Sequence, residues 1–183
     1  METNVSGDKS LFAVEFSEIS YQGQATFSQC GIWLGGHRLY DPWGTTCLDA
    51  LLRRLQGIAN LPPITGNPSP VPASATELRR MITSEEADEI RWYSCFEEET
   101  FDYFLKLFTK DQNHITFIWA VHPRHVEFDI YRDAYRDYPK GVQKVCVENS
   151  EFQRVVDEFA QAVKMTKQAL AESEGSPRTL EAG

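Results

Sequence analysis

One run constrains this chain more than any other: Gln24–Ala59, QATFSQCGIWLGGHRLYDPWGTTCLDALLRRLQGIA. It holds a strand, a glycine turn, a short second strand, a corner and an amphipathic helix in succession. Phe27, Ile32, Trp33 and Leu34 are apolar and strand-compatible, and Gly35-Gly36 accepts the positive φ angles of a hairpin turn. Asp41, Pro42 and Gly44 make the corner. Thr45 or Thr46 is placed to cap a helix, with Asp49 three residues after Thr46. Leu48, Leu51, Leu52 and Leu55 then recur at helical spacing, with Arg53, Arg54 and Gln56 elsewhere. Gly57 is the expected stop. Gly31 interrupts a strand-like run, which points to a bulge or a close backbone contact.

Before this run, Phe12, Val14 and Phe16 alternate with Ala13 and Glu15 in a half-buried strand spanning Leu11–Ile19, and Tyr21–Gln24 turns the chain. After it, Leu61–Ala73 places five prolines in thirteen residues. Neither a long helix nor a central strand runs through such a stretch, so it reads as a surface excursion within one domain. Thr76–Ile82 suits a short helix, and Ser84-Glu85-Glu86-Ala87 has the character of another cap. Phe101–Phe108 fits either period, with helix preferred. Ile115–Val121, almost wholly apolar, suits a central strand. Pro123-Arg124 permits a turn into a strand through Val126, Phe128 and Ile130, and YRDAYRDYPKG reads as a charged aromatic loop or short helical excursion. Val142–Val147 supplies another strand. Asn149 or Ser150 then caps a helix whose Phe152, Val155, Val156, Phe159 and Val163 form one stripe. Strands and helices segregated in this way favour an α+β fold, a mainly antiparallel sheet packed on helices. The expected domain is 1–171, followed by a polar tail at 172–183 with little to bury.

The 183 residues carry 27 acidic and 18 basic side chains, a formal charge of -9. That balance repels phosphate backbones, so direct nucleic-acid binding is disfavoured and a basic protein partner suits better. The start of the chain lacks the basic and apolar regions of a signal peptide, and no apolar run nears twenty residues. A cytoplasmic location and no membrane contact are the expectations. Cys30, Cys47, Cys95 and Cys146 lack metal-knuckle or redox spacing and read as buried free thiols.

Chemical constellations are weak. His122, His125 and Cys146 offer zinc-compatible donors across a turn but specify no fourth ligand. Cys30 or Cys47 with His37 would make a nucleophile and base only if folding joined them. Glu97, Glu98 and Glu99 read more simply as a solvated face than as a general acid and base. Gly35-Gly36 lacks the spacing of a phosphate loop. No cofactor or metal is therefore expected. A small hydrolase or metal-dependent enzyme at these residues is one alternative, and a protein-binding adaptor is another.

A contact surface is better supported. Glu85 to Asp102 holds eight acidic residues and one basic residue, Arg91. Trp92, Tyr93 and Phe96 interleave with the acids, and Tyr131, Tyr135 and Tyr138 punctuate a later charged loop. Aromatic anchors among charges give area and steering to a protein contact. The expected partner-binding residues are Glu89, Trp92, Tyr93, Phe96, Glu97, Glu98, Glu99 and Tyr135. Inward packing of several of these rings is the plainer alternative.

GDKSLFAVEF at Gly7–Phe16, IWLGGHRLYD at Ile32–Asp41 and TTCLDALLRRL at Thr45–Leu55 resemble, in order and separation, the opening strand, glycine turn and leucine helix of the bacterial immunity protein 42 family. The resemblance covers about the first third of the chain; the proline-rich excursion departs from it. It implies a shared scaffold and a non-catalytic protein of a polymorphic-toxin system that binds and neutralises a cognate toxin.

Overall fold

The computed structural model describes residues 3–22, 25–42, 44–66, 68–83, 92–95, 101–123 and 133–175. The chain runs β1 (Asn4–Asp8), β2 (Phe12–Gln22), β3 (Ala25–Leu34), β4 (His37–Tyr40), β5 (Thr46–Cys47), α1 (Leu48–Asn60), α2 (Ala75–Thr83), β6 (Tyr93–Ser94), β7 (Phe104–Lys110), β8 (His114–Val121), β9 (Gln143–Glu148) and α3 (Asn149–Gly175). One sheet has the order β1-β2-β3-β4, with β5 also paired to β3; the other has the order β6-β7-β8-β9. Every pairing is antiparallel. Both sheets share one core with α1 and α3, a single compact α+β domain.

The alternation in β2 sets this core. Phe12, Val14 and Phe16 enter it beside Ile32 and Leu34 of β3 and Leu39 of β4. The Phe12 ring stacks on Phe152 of α3 at 4.7 Å and on Phe117 of β8 at 5.9 Å, tying the sheets to each other and to the helix. The expected stripe of α3, from Phe152 to Val163, is buried throughout. The helix itself continues to Gly175, beyond the boundary expected at 171. Where the β2–β3 register shifts between Phe16 and Ile19, the Ser28 hydroxyl donates to the Ser17 carbonyl and accepts from the Ser17 amide, both at 3.1 Å.

Gly35 and Gly36 make the expected turn at φ 60° and 85°. The start of α1 differs from expectation. Its N-cap is Cys47, without a side-chain cap, and neither Thr45 nor Thr46 takes that place. β5 carries the chain straight from strand pairing into the helix, so tertiary contacts replace a cap. Gly57 does not stop the helix, which runs through to Asn60. Leu48, Leu51, Leu55 and Ile58 form the buried stripe, and Leu52 is only half-buried. The end of α1 is capped from outside: Nζ of Lys110 on β7 donates to the Ala59 and Ile58 carbonyls. A cation there meets the negative end of the helix dipole.

Phe101–Phe108 is not a helix. Phe104–Lys110 form strand β7, and all seven of its residues are buried. Phe104 and Phe108 face the main core, while Leu105 and Leu107 face a second cluster with Leu78 of α2, Trp92, Ile118 and Ala120. Helix α2 covers the face of this sheet away from α1 and α3. A strand buried on both faces loses its period-two signature, which is why its sequence fits a helix equally well. The Ile115–Val121 expectation holds: β8 lies between β7 and β9. Expectations at Ser84–Ala87 and at Val126, Phe128 and Ile130 fall outside the described residues.

The proline-rich excursion is tied down at several points. The Ile64 amide donates to the Lys110 carbonyl at 2.9 Å, and Trp92 Nε1 donates to the Ser69 carbonyl at 2.9 Å. Ser74 accepts from the Glu77 amide and the Glu77 carboxylate accepts from the Ala73 amide, a reciprocal cap for α2. Asn149 opens α3 by gripping the β7–β8 hairpin: its Nδ2 donates to the carbonyls of Asp111 and Gln112.

Candidate functional site

The acidic-aromatic segment is anchored where it is described. Trp92 is 4% exposed and packs in the cluster under α2, while Cys95 is buried in the main core. Between them Tyr93 and Ser94 form β6, pairing with Phe108 and Leu107, and both are exposed. Tyr93 is 39% exposed, with its ring 5.5 Å from that of Phe108. Two inward anchors thus hold two outward residues against the sheet. Trp92, an expected partner-binding residue, is thus placed as a buried anchor in the fold. Glu89, Phe96, Glu97, Glu98 and Glu99 lie outside the described residues.

A cleft of about 270 Å³ opens beside β6. Arg53, Arg54, Gly57, Ile58 and Leu61 line it from α1 and the chain just beyond; Tyr93, Ser94, Cys95 and Phe108 line it from the second sheet. Ile58, Cys95 and Phe108 are buried and give it an apolar floor, whereas both arginines are exposed at its rim. The sequence reading missed the α1 side, because Gly57 read as a helix terminus. A glycine one turn after two arginines on the polar side of a leucine helix was the available signal.

Tyr135 lies in the main core instead, 6% exposed. Its ring packs 5.4 Å from Phe104 and 5.3 Å from Tyr138, and its hydroxyl donates to the Tyr40 carbonyl at 2.9 Å. The Tyr138 hydroxyl donates to the Arg38 carbonyl. These two tyrosines occupy alternate carbonyls of β4, at one end of its sheet, and so cover a strand edge. Burial pushes both phenols well above the usual tyrosine range. Tyr135 and Trp92 therefore sit in separate clusters, and neither ring is open to a partner.

On the outer face of the first sheet, the Glu15 carboxylate meets Lys9, Arg38 at 2.9 Å and Trp33 Nε1 at 3.1 Å. Burial works to raise its pKa, but the hydrogen bond from Lys9, the Arg38 charge and the Trp33 donor outweigh it, leaving the group below the ordinary glutamate value. Arg38 lies over the Tyr40 ring and across Gly31, where an added Cβ would stand 2.5 Å from Arg38 Nε. Gly31 thus makes the expected close contact, with a side chain rather than with backbone.

The candidate chemical groups are placed differently from a catalytic set. All four cysteines are free, and Cys30, wholly buried, has its thiol pushed up to about 12 by desolvation. Such a thiol is a poor nucleophile at neutral pH. Cys146 is exposed on β9, contrary to the expectation of burial, because it points to the outer side of the strand. The His37 ring packs 5.6 Å from Trp119 and 6.1 Å from Tyr138. His125 lies outside the described residues. Among the described residues no group of three or more His, Cys, Asp or Glu is placed to hold a metal ion, and no helix is long and apolar enough to cross a membrane.

The class defined by these observations is an antiparallel α+β domain in which Trp92 and Cys95 anchor the short strand β6 at the end of one sheet. No family model matches the chain, and no curated protein does. Among solved structures, that of CdiI from Burkholderia dolosa is similar at a TM-score of 0.49, with 14% identity over 87% of this chain and 99% of that one.

Proposed function

We propose that this chain is a non-catalytic immunity protein that binds a cognate bacterial toxin and neutralises it. The observation that carries the reading is that Trp92 and Cys95 are buried while Tyr93 and Ser94 are exposed between them. A contact residue on a free tail would pay the full entropy of ordering on binding. Tyr93, held between two buried anchors, presents its ring with that ordering already done, which favours tight association. The blocks that resemble the immunity protein 42 family supply the scaffold: Gly7–Phe16 enters β2, Ile32–Asp41 is the β3–β4 hairpin, and Thr45–Leu55 enters α1. The acidic residues that flank Tyr93 and Ser94 in sequence suit a basic patch on the toxin, and they steer its approach.

The test is co-expression with the protein encoded immediately beside this one, followed by purification of the complex and a growth assay. Rescue of growth together with a stable complex is expected. Rescue without association, or a complex without rescue, defeats the proposal.

A further inference from the structure

Among the described residues, nothing in the fold requires a glycine at position 57 in the body of α1. Its backbone is outside the left-handed region, and a Cβ added there would meet nothing within 4 Å. Glycine at an exposed helix position weakens the helix relative to alanine, and it is the residue used where backbone must be approached closely by a ligand. At position 57 the missing side chain leaves the α1 wall of the cleft bare. Across the opening stands the exposed Tyr93, the floor is apolar, and Arg53 lies on the rim.

We propose that this cleft is the anchor pocket for the toxin, taking one aromatic side chain whose neighbouring carboxylate pairs with Arg53. The inference rests on the toxin-binding reading and deepens it. About 270 Å³ is room enough for a single aromatic ring. A ring entering here lies over Ile58 and Phe108, against backbone at Gly57 and edge-on to Tyr93. Binding energy at protein interfaces concentrates where such an anchor fills a desolvated pocket. The guanidinium on the rim of a chain with a net charge of -9 selects a carboxylate beside that ring.

Two measurements test the pocket. In the first, the full chain is titrated with N-acetylphenylalanine and with its amide while backbone amide resonances are followed. Shifts at Gly57 and Ser94, stronger for the acid than for the amide and lost in Gly57→Met, are expected. In the second, the affinity of the purified toxin is compared across wild type, Gly57→Ala and Gly57→Met. Methionine fills the cleft and should weaken binding about tenfold or more. Alanine, whose Cβ stands between the ring and the backbone, should weaken binding by less than methionine does while raising Tm by about 2–4 °C. Unchanged toxin affinity in Gly57→Met, or the absence of shifts in wild type, overturns the pocket and leaves the immunity reading in place. Equal response to acid and amide overturns the role of Arg53. If wild type forms no toxin complex, the immunity reading falls and the titration alone judges the cleft.

Discussion

A carboxylate held almost out of water needs partners for both oxygens, and Glu15, 7% exposed, has them in Lys9, Arg38 and Trp33. Its pKa lies below the ordinary value in the folded state, so folding favours the ionised form. The resulting stability is fully present above the unfolded pKa, near 4.5, and is lost as pH falls through the lower folded value. Glu15→Gln should therefore cost about 2 kcal/mol at pH 7, and the gap from wild type should narrow as pH drops below about 4.5. Urea unfolding of both proteins at pH 7 and pH 3 checks this; a constant gap would remove the ionic account. At this scale the sequence was partly legible. Gly31 announced a close contact because a strand interior rarely carries glycine without cause. Its neighbour, Arg38, is set by the β3–β4 register, which no local pattern states. Gly57 was misread because a glycine after a leucine repeat looks like a terminator, whereas buried Ile58 and the caps from Leu61 and Lys110 lie beyond it.

Elements whose two sides differ in chemistry were legible. α3 displays its period of 3.6 because one side meets the core and the other meets water, and β2 displays a period of two because large apolar residues on the core side alternate with Ala13 and the ion-paired Glu15, buried though both are. β7 is apolar on both sides because α2 and Trp92 cover its second face, and that cover comes from residues distant in sequence. The capping of α1 is non-local in the same sense. Its last turn contains no basic residue, and the cation comes from Lys110, some fifty residues on. Lys110 also holds the proline-rich excursion through its own carbonyl. Burial lowers its pKa, yet its ammonium donates to the Ala59 carbonyl and to the Ile58 carbonyl, which also accepts from the Leu61 amide. Lys110→Met keeps the stem and removes the donor. The expected loss is about 1–2 kcal/mol by thermal or urea unfolding, with hydrogen exchange accelerated first at the C-terminal turn of α1. Exchange that rises evenly along the chain would assign Lys110 to packing alone.

For the molecule as a whole, the acidic-aromatic segment divides into residues that hold the fold and residues that face outward, and mutation should separate them. Trp92 fills the cluster beneath α2 and ties Ser69 to the sheet. Replacing it with alanine removes a buried indole and a hydrogen bond, a loss of about 3–5 kcal/mol, so any fall in toxin binding would follow from a weakened domain. Tyr93 lies on a two-residue strand at the end of its sheet with much of its ring in solvent. Tyr93→Ala should change stability by no more than about 1 kcal/mol while reducing toxin affinity by about tenfold. Unfolding curves and a binding isotherm on the same preparations decide the matter. Equal binding by Tyr93→Ala and wild type would move the contact away from β6. A large stability loss would instead make Tyr93 part of the core that Trp92 serves. The expected combination, full stability with weakened binding, is specific to a surface assembled from inward anchors and an outward ring.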